Sequence, residues 1–472
     1  MRLGSTRALT RALPLLLSVV LLVALAPLAG LRPASAADAT TLALAGEPRP
    51  AGQSSPLVAT LTASDGAAVP GAQVVVERRV DGAWTSAGTA TTDVSGRAQV
   101  SAVIGRDADD NVFRASYAGD GTRGPSRSAD VQVPLVRVGT RVRVTGPRTV
   151  VDERPLDLTV RWTTEAGEPV SGPVVVLRRK VDGPWRPVER LTTDAAGAAT
   201  FTTEPRVDTR WKARTRPLPW AERDRSRVHR VDNLPPAPPA DLPDAAPRPR
   251  IQLPPQRRAV GEGANPVISR IPDQVWRDMT GRSWHAGCPV GRAGLRLLRI
   301  NYWDYDGYRR RGEIVAAAGA VGAMAGALAA MYERELPIRA MYRVDRFGWS
   351  PRLQGADDHA SMASGNTSAF NCRQVVNNPG VRSPHSYGRS LDVNTWENPY
   401  RSATGLVPNA WWQPRSHPRV AWRSRAHAVV RIMARHGLRW TYGHGDTQHF
   451  DVVRSNGRVL FPRGCSILVP CK

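Results

Sequence analysis

Ser383-Pro384-His385-Ser386-Tyr387-Gly388-Arg389-Ser390-Leu391-Asp392-Val393-Asn394 is the stretch from which the C-terminal part of the chain is read. His385 and Asp392 are seven residues apart. In a straight strand that odd offset puts them on opposite faces, roughly 23 Å apart. In a helix they share a face but lie about 10 Å apart along the axis. Neither geometry lets both side chains reach one point, so the chain has to double back between them. Gly388 permits that bend. Leu391-Asp392-Val393 then reads as a short strand, with Asp392 facing away from its two apolar neighbours.

Nearer the C-terminus, Gly445-Asp446-Thr447-Gln448-His449-Phe450 supplies a second acid and a histidine three residues apart, which one tight turn brings together. His385, Asp392 and His449 make a donor set of two imidazoles and a carboxylate. Zinc takes such donors at about 2 Å, and catalytic zinc sites keep a fourth position for water. Zn2+ is therefore the expected cofactor. Asp446 is the expected general base, taking a proton from water whose pKa the metal lowers toward neutrality.

Either acid–histidine pair alone occurs by chance in many chains, and the surrounding text adds the specificity. Asn366-Thr367-Ser368-Ala369-Phe370-Asn371-Cys372-Arg373, then the run from His385 to Asn394, then Gln448-His449-Phe450, resembles the zinc D-alanyl-D-alanine carboxypeptidase family. That family includes VanY-like carboxypeptidases and L-alanyl-D-glutamate endopeptidases, and the resemblance runs from about Leu295 to Asp451. It implies that Ser383, His385 and Asp392 match the family's Ser-x-His with an acid seven residues on. Asp446 and His449 match its closing acid-x-x-His, as base and third ligand. Arg373 matches the upstream arginine that steadies the scissile carbonyl. Substrate contacts are expected at Ser383, Tyr387 and His444. Where relatives often carry Gly-Gly-x-Trp before the acid, this chain reads Trp440-Thr-Tyr-Gly-His-Gly445, a departure at the rim of the site.

Residues 1–36 read as a secretory signal peptide. Arg2, Arg7 and Arg11 precede an apolar run, and Ala34-Ser35-Ala36 is a small-residue cleavage site. The chain is expected to be secreted to the cell wall or the extracellular space, with no stable transmembrane segment once the signal is cleaved. A repeat follows. The run from Val69 to Trp84 is echoed from Val170 to Trp185, and Thr92-Asp93-Val-Ser-Gly96 is echoed by Thr193-Asp194-Ala-Ala-Gly197. The spacing of about 100 residues is that of an immunoglobulin-like sandwich. Short β-branched runs and Asp-Gly or Ser-Gly turns supply strands and reversals. Residues 38–134 and 135–231 are thus expected to be two all-β immunoglobulin-like sandwiches. Trp84 and Trp185 read as core or strand-end packing. Residues 232–266 are proline-rich and read as a semi-rigid linker.

Residues 267–472 read as the zinc peptidase domain, of α+β class. Leu295–Trp303 is an expected strand, residues 313–335 an expected helix, residues 338–344 a second strand, and residues 424–436 a helix with Ser424 as N-cap and Gly437 just past its end. Ser455-Asn456-Gly457 marks a hairpin between residues 450–453 and 458–461. The uncharged centre of the alanine-rich helix is too weakly apolar to span a bilayer. All four cysteines lie in this domain, and the expected disulfides are Cys288 with Cys372 and Cys465 with Cys471.

The formal net charge of +24 raises nucleic acid as a partner. The charge is spread over every domain with no nucleic-acid-binding signature, so anionic cell-wall polymers are expected instead. The composite expectation is a multidomain, secreted zinc metallopeptidase acting on peptidoglycan stem peptides, as a D-alanyl-D-alanine carboxypeptidase. Two rivals stand beside it. One is an L-alanyl-D-glutamate-type endopeptidase. The other is a cell-wall-binding or adhesive protein with a vestigial metal domain.

Overall fold

The structure, a computed structural model, describes residues 37–375, 378–402, 404–454 and 456–459. The expected signal peptide, the Cys465–Cys471 pair and residues 460–461 of the last hairpin's far strand lie outside the described residues, and residues 458–459 are not in a strand. The chain divides into two units. The first runs to Val138 and takes in Pro219–Ala221; the second comprises Gly139–Leu218 and Glu222–Lys472.

In the first unit, alternating sequence becomes alternating burial. Ser54–Ala63 buries Leu57, Ala59 and Leu61 and turns the intervening residues outward. It lies between Thr40–Gly46 and Arg97–Val103 in an antiparallel sheet. A second sheet is built from Ala83–Thr91, Gln73–Val80 and Val112–Tyr117, the last also pairing with Ser126–Arg127 and Val131–Gln132. Val74, Val76 and Phe113 meet Leu57 and Leu61 in one core, so two sheets share a β-sandwich interior.

The second unit begins with the second copy. Thr140–Thr145, Leu156–Thr164 and Ala198–Thr203 form one sheet; Thr149–Val151, His229–Leu234, Thr209–Thr215, Gly172–Lys180 and Arg186–Thr193 form the other. The repeat is structural as well as textual. Thr92 Oγ1 donates to Val69 O and accepts from Ala72 N. Thr193 Oγ1 does the same with Val170 O and Gly172 N. Trp84 and Trp185 are half-buried and carry cations on their faces, Arg114 at 4.0 Å and Lys212 at 5.0 Å, so they pack at strand ends rather than in the core.

The C-terminal domain starts with strand β1 (Val267–Arg270), helix α1 (Asp273–Met279), and the antiparallel strands β2 (Leu295–Trp303) and β3 (Arg309–Ala317). β2 lies between β1 and β3. Helix α2 (Val321–Glu333) packs on this sheet through Met324, Leu328 and Met331. The helix expected over residues 313–335 is therefore shorter. Its first part is strand, because Ile314 and Val315 are β-branched and pair with Leu298 and Leu297. The strand expected over residues 338–344 does not form. Its Ala340 makes a single bridge to Asn366, and the segment ends in a 3-10 turn at Val344–Phe347.

Downstream come α3 (Asp358–Ala363), β4 (Ser390–Asp392), α4 (Ala428–Arg435), β5 (Leu438–Arg439) and β6 (His449–Val452). β6 is the central strand of a small antiparallel sheet between β4 and β5. The N-cap of α4 is His427, whose ring accepts from Val429 N, rather than Ser424; Gly437 has φ +75° and ends the helix. Cys288 and Cys372 form a disulfide. No helix among the described residues is long and apolar enough to cross a membrane.

The proline tract lies along the C-terminal domain rather than standing off it. Trp396 Nε1 donates to Pro247 O at 2.7 Å, Ala240 N to Tyr305 O at 2.8 Å, and Tyr302 Oη to Gln256 Oε1 at 2.6 Å. Proline cannot continue a helix or a ladder, but its carbonyls remain acceptors, and the Trp396 indole, the Arg419 guanidinium and the Tyr342 hydroxyl of the domain use them.

Candidate metal centre

Ser383 caps a 3-10 turn at Pro384–Tyr387 by accepting from His385 N, and Pro384 pre-sets φ at the first position. Gly388 then turns the chain with φ +63°. A Cβ at that position would lie 2.7 Å from Ala317 N, whose proton goes to Gly388 O. The backbone of β3 thus presses on the turn that folds His385 back toward Asp392, the fold-back that the seven-residue spacing demands. β4 and β6 pair in register, with Asp392 opposite His449 and Leu391 opposite Phe450. Leu391, Val393 and Phe450 are buried in the core beneath.

The three expected ligands converge. His385 Nε2 lies 3.1 Å from His449 Nδ1 and 3.3 Å from Asp392 Oδ2, and His449 Nδ1 lies 3.2 Å from Asp392 Oδ1. All three side chains are buried. The remaining ring nitrogens fix the tautomers. His385 Nδ1 is 2.7 Å from Ala369 O, which can only accept, so that nitrogen carries a proton. His449 Nε2 is 2.9 Å from Asp451 Oδ1, and Asp451 is held in turn by Ser390 Oγ at 2.6 Å. Two ring nitrogens and a carboxylate thus face one another within hydrogen-bond distance, an arrangement that a shared cation satisfies, and the donors suit Zn2+.

Carboxylates dominate the electrostatics around His449. Burial pushes the His449 imidazole down, but Asp451, Asp392 and Asp446 outweigh it and hold the pKa up at about 10. Burial pushes the Asp451 carboxyl up, yet His449 and Ser390 leave it below the usual range. Three carboxylates, Asp392, Asp446 and Asp451, thus act on one buried imidazole.

The other expected site residues divide. Asp446 is fully buried at the end of the Gly443–Gly445 turn and bridges by backbone to Tyr400. It lies outside the ligand triad but close enough to act on His449. Arg373 is buried and paired with Asp358 at 2.8 Å. Ser383 is also buried and serves as a cap. Tyr387 is half-buried, and His444 is exposed with its ring 5.8 Å from Trp440.

Three contributors escaped the sequence reading. Asp451 and Ser390 orient His449, and His449-x-Asp451 within a strand carried the signal, since residues two apart share a face. Tyr400 is the third. Burial pushes its phenol far above the ordinary range, and Arg373, Asp358, Asp446 and Asp392 all act on it. Nothing local in its sequence marks that role, because only the fold brings residue 400 to the acid at 446.

Residues 377–452 match a family model described as D-alanyl-D-alanine carboxypeptidase. The matched segment contains His385, Asp392, Asp446 and His449, and it supports a hydrolase of the metallopeptidase class with a peptidoglycan-related substrate in general. Among curated proteins, none matches the chain. Among the solved structures similar over part of it are the following three. One is a tetra-tandem repeat from the extending region of a large adhesion protein, at 13% identity and TM-score 0.28, covering 60% of this chain and 64% of that one. The others are the α-2-macroglobulins of Escherichia coli (11% identity, TM-score 0.18, covering 54% of this chain and 24% of that one) and Salmonella (11%, 0.19, 57% and 18%). The chain spans less than two thirds of the length of each.

Proposed function

We propose that the chain is a secreted zinc-dependent peptidase that hydrolyses peptide bonds in peptidoglycan stem peptides, as a D-alanyl-D-alanine carboxypeptidase. The observation that carries this reading is the convergence of His385 Nε2, His449 Nδ1 and an Asp392 carboxylate, with both imidazole tautomers set from behind. Zinc held by these three side chains would supply a Lewis acid and bring the pKa of water near neutrality. Asp446 takes the proton of the attacking water and delivers it to the departing amine. Arg373, whose charge acts on Tyr400 beside Asp446, adds positive charge for the carbonyl oxygen as it becomes an oxyanion. Ser383, Tyr387 and His444 are the proposed substrate contacts. Tyr387 and His444 have the accessible surface for it, whereas Ser383 would act through the turn it caps.

One observation favours the endopeptidase reading. A carboxypeptidase needs a cation for the substrate's free carboxylate, and one edge of the Arg373 guanidinium is already engaged by Asp358. The test is hydrolysis of a stem pentapeptide by the full chain after chelation and zinc repletion, comparing wild type with Asp446→Asn. Zinc-dependent release of D-alanine that is lost in Asp446→Asn is the expected result. Internal cleavage selects the endopeptidase. No cleavage by zinc-loaded protein sinks the enzymatic reading and leaves a wall-binding protein.

A further inference from the structure

A groove of about 770 Å³ in the C-terminal domain gathers six arginines: Arg257, Arg258, Arg299, Arg311, Arg343 and Arg346. Glu313 is the one carboxylate lining it. Three of the arginines have acidic partners. Arg343 is held by Asp345, Glu313 and Asp278 at 2.8 to 3.0 Å. Arg299 shares Glu313 at 2.9 Å, and Arg258 reaches Asp152 at 3.6 Å while lying over the Tyr308 ring. The other three make no ion pair among the described residues. Arg311 donates to two neutral acceptors, Asn265 O and Asn301 Oδ1. Arg257 and Arg346 are exposed at the rim. Burial, and then the nearby Arg299, depress the Arg311 guanidinium below its ordinary value.

Guanidinium groups crowded into a concavity repel one another unless an anion joins them. Their planar forks fit phosphate oxygens two at a time. Single-stranded nucleic acid is held by such charge together with aromatic platforms on which bases stack. Here Tyr342 is the lone aromatic in the lining, and its hydroxyl is bound to Pro254 O. We infer that this groove binds a phosphodiester-linked polymer without bases, of the kind that accompanies peptidoglycan. The groove follows from its own geometry; the choice of a wall polymer rests on the proposed function.

The test measures binding of poly(glycerol phosphate), and of a single-stranded DNA oligonucleotide of equal charge, to the full chain at two salt concentrations. Arg257→Glu/Arg346→Glu is the first variant, chosen because both side chains are exposed; Arg311→Gln is the second. The expected result is at least tenfold weaker polymer binding in the double variant, with a salt dependence shallower by roughly one log–log unit per arginine lost. Hydrolysis of a small stem peptide should be unchanged. Equal polymer binding by wild type and both variants overturns the site. Tenfold tighter binding of the oligonucleotide overturns the polymer assignment in favour of nucleic acid. Because binding is read without turnover, an inactive but polymer-binding protein would sink the peptidase reading alone.

Discussion

His449 Nε2 lies 2.9 Å from Asp451 Oδ1, two residues further along the same strand. The carboxylate fixes which ring nitrogen is protonated and raises the basicity of the other. Asp451→Ala should therefore lower zinc affinity about 10- to 100-fold. Competition against a chromophoric chelator would measure it. Unchanged affinity would mean that the ring is oriented by packing alone.

Removal of the metal should be reversible and should act through the triad. Chelation should abolish hydrolysis and added zinc should restore it. His385→Ala or His449→Ala should leave less than one equivalent of zinc after dialysis, whereas Asp446→Asn should keep its full equivalent while losing turnover. Metal analysis alongside rates separates the two outcomes. Zinc loss in Asp446→Asn would make that residue a ligand rather than a base.

Gly388→Ala should destabilise the domain. The residue has φ +63°, and its added methyl would lie 2.7 Å from a backbone nitrogen of β3. Left-handed strain on a non-glycine residue costs on the order of 1–3 kcal/mol, before counting the contact. Denaturant titration would show a lower midpoint with an unchanged slope. Because the same turn carries His385, zinc affinity should fall as well.

The Cys288–Cys372 bond closes a loop with a sequence separation of 84 residues. Its replacement by serines should cost roughly 2–5 kcal/mol of stability. A midpoint equal to that of wild type would mean that the unfolded chain gains no freedom from the change.

A fragment starting at Val267 should be less stable than one starting at Gly139. It lacks the carbonyl of Pro247 that accepts from Trp396 and the amide of Gln256 that receives the hydroxyl of Tyr302. Each orphaned buried donor costs about 1–3 kcal/mol. Thermal melting of the two fragments is the direct comparison, and coincident melts would show the strap to be dispensable.

The meeting of His385 with Asp392 was legible because its constraint is local: seven residues and a glycine leave only a fold-back, whereas His449 was read from its own acid-x-x-His run. The strand Leu295–Trp303 was equally legible from its apolar run, and the repeat from its echo. The β3–α2 boundary was hidden because alanine is compatible with both states, and only pairing with β2 decides that Ile314 and Val315 extend. Tyr400 and the Asp358–Arg373 pair were hidden for a different reason. Their roles exist only when segments far apart in sequence are brought together, and no short-range pattern encodes that. The packing of the proline tract was not legible, because composition reports backbone stiffness and says nothing of the donors on a neighbouring surface.

Arg309 binds Glu153 of the second sandwich, Arg258 donates to Arg206 O, and the Tyr308 hydroxyl donates to Asn233 O. These contacts join the second sandwich to the strand pair β2–β3 on which the His385 turn leans. The second sandwich is thereby held at a set distance and bearing from that turn. For the proposed peptidase the module would act as a ruler, limiting cleavage to bonds within one fixed reach of any anchorage it makes.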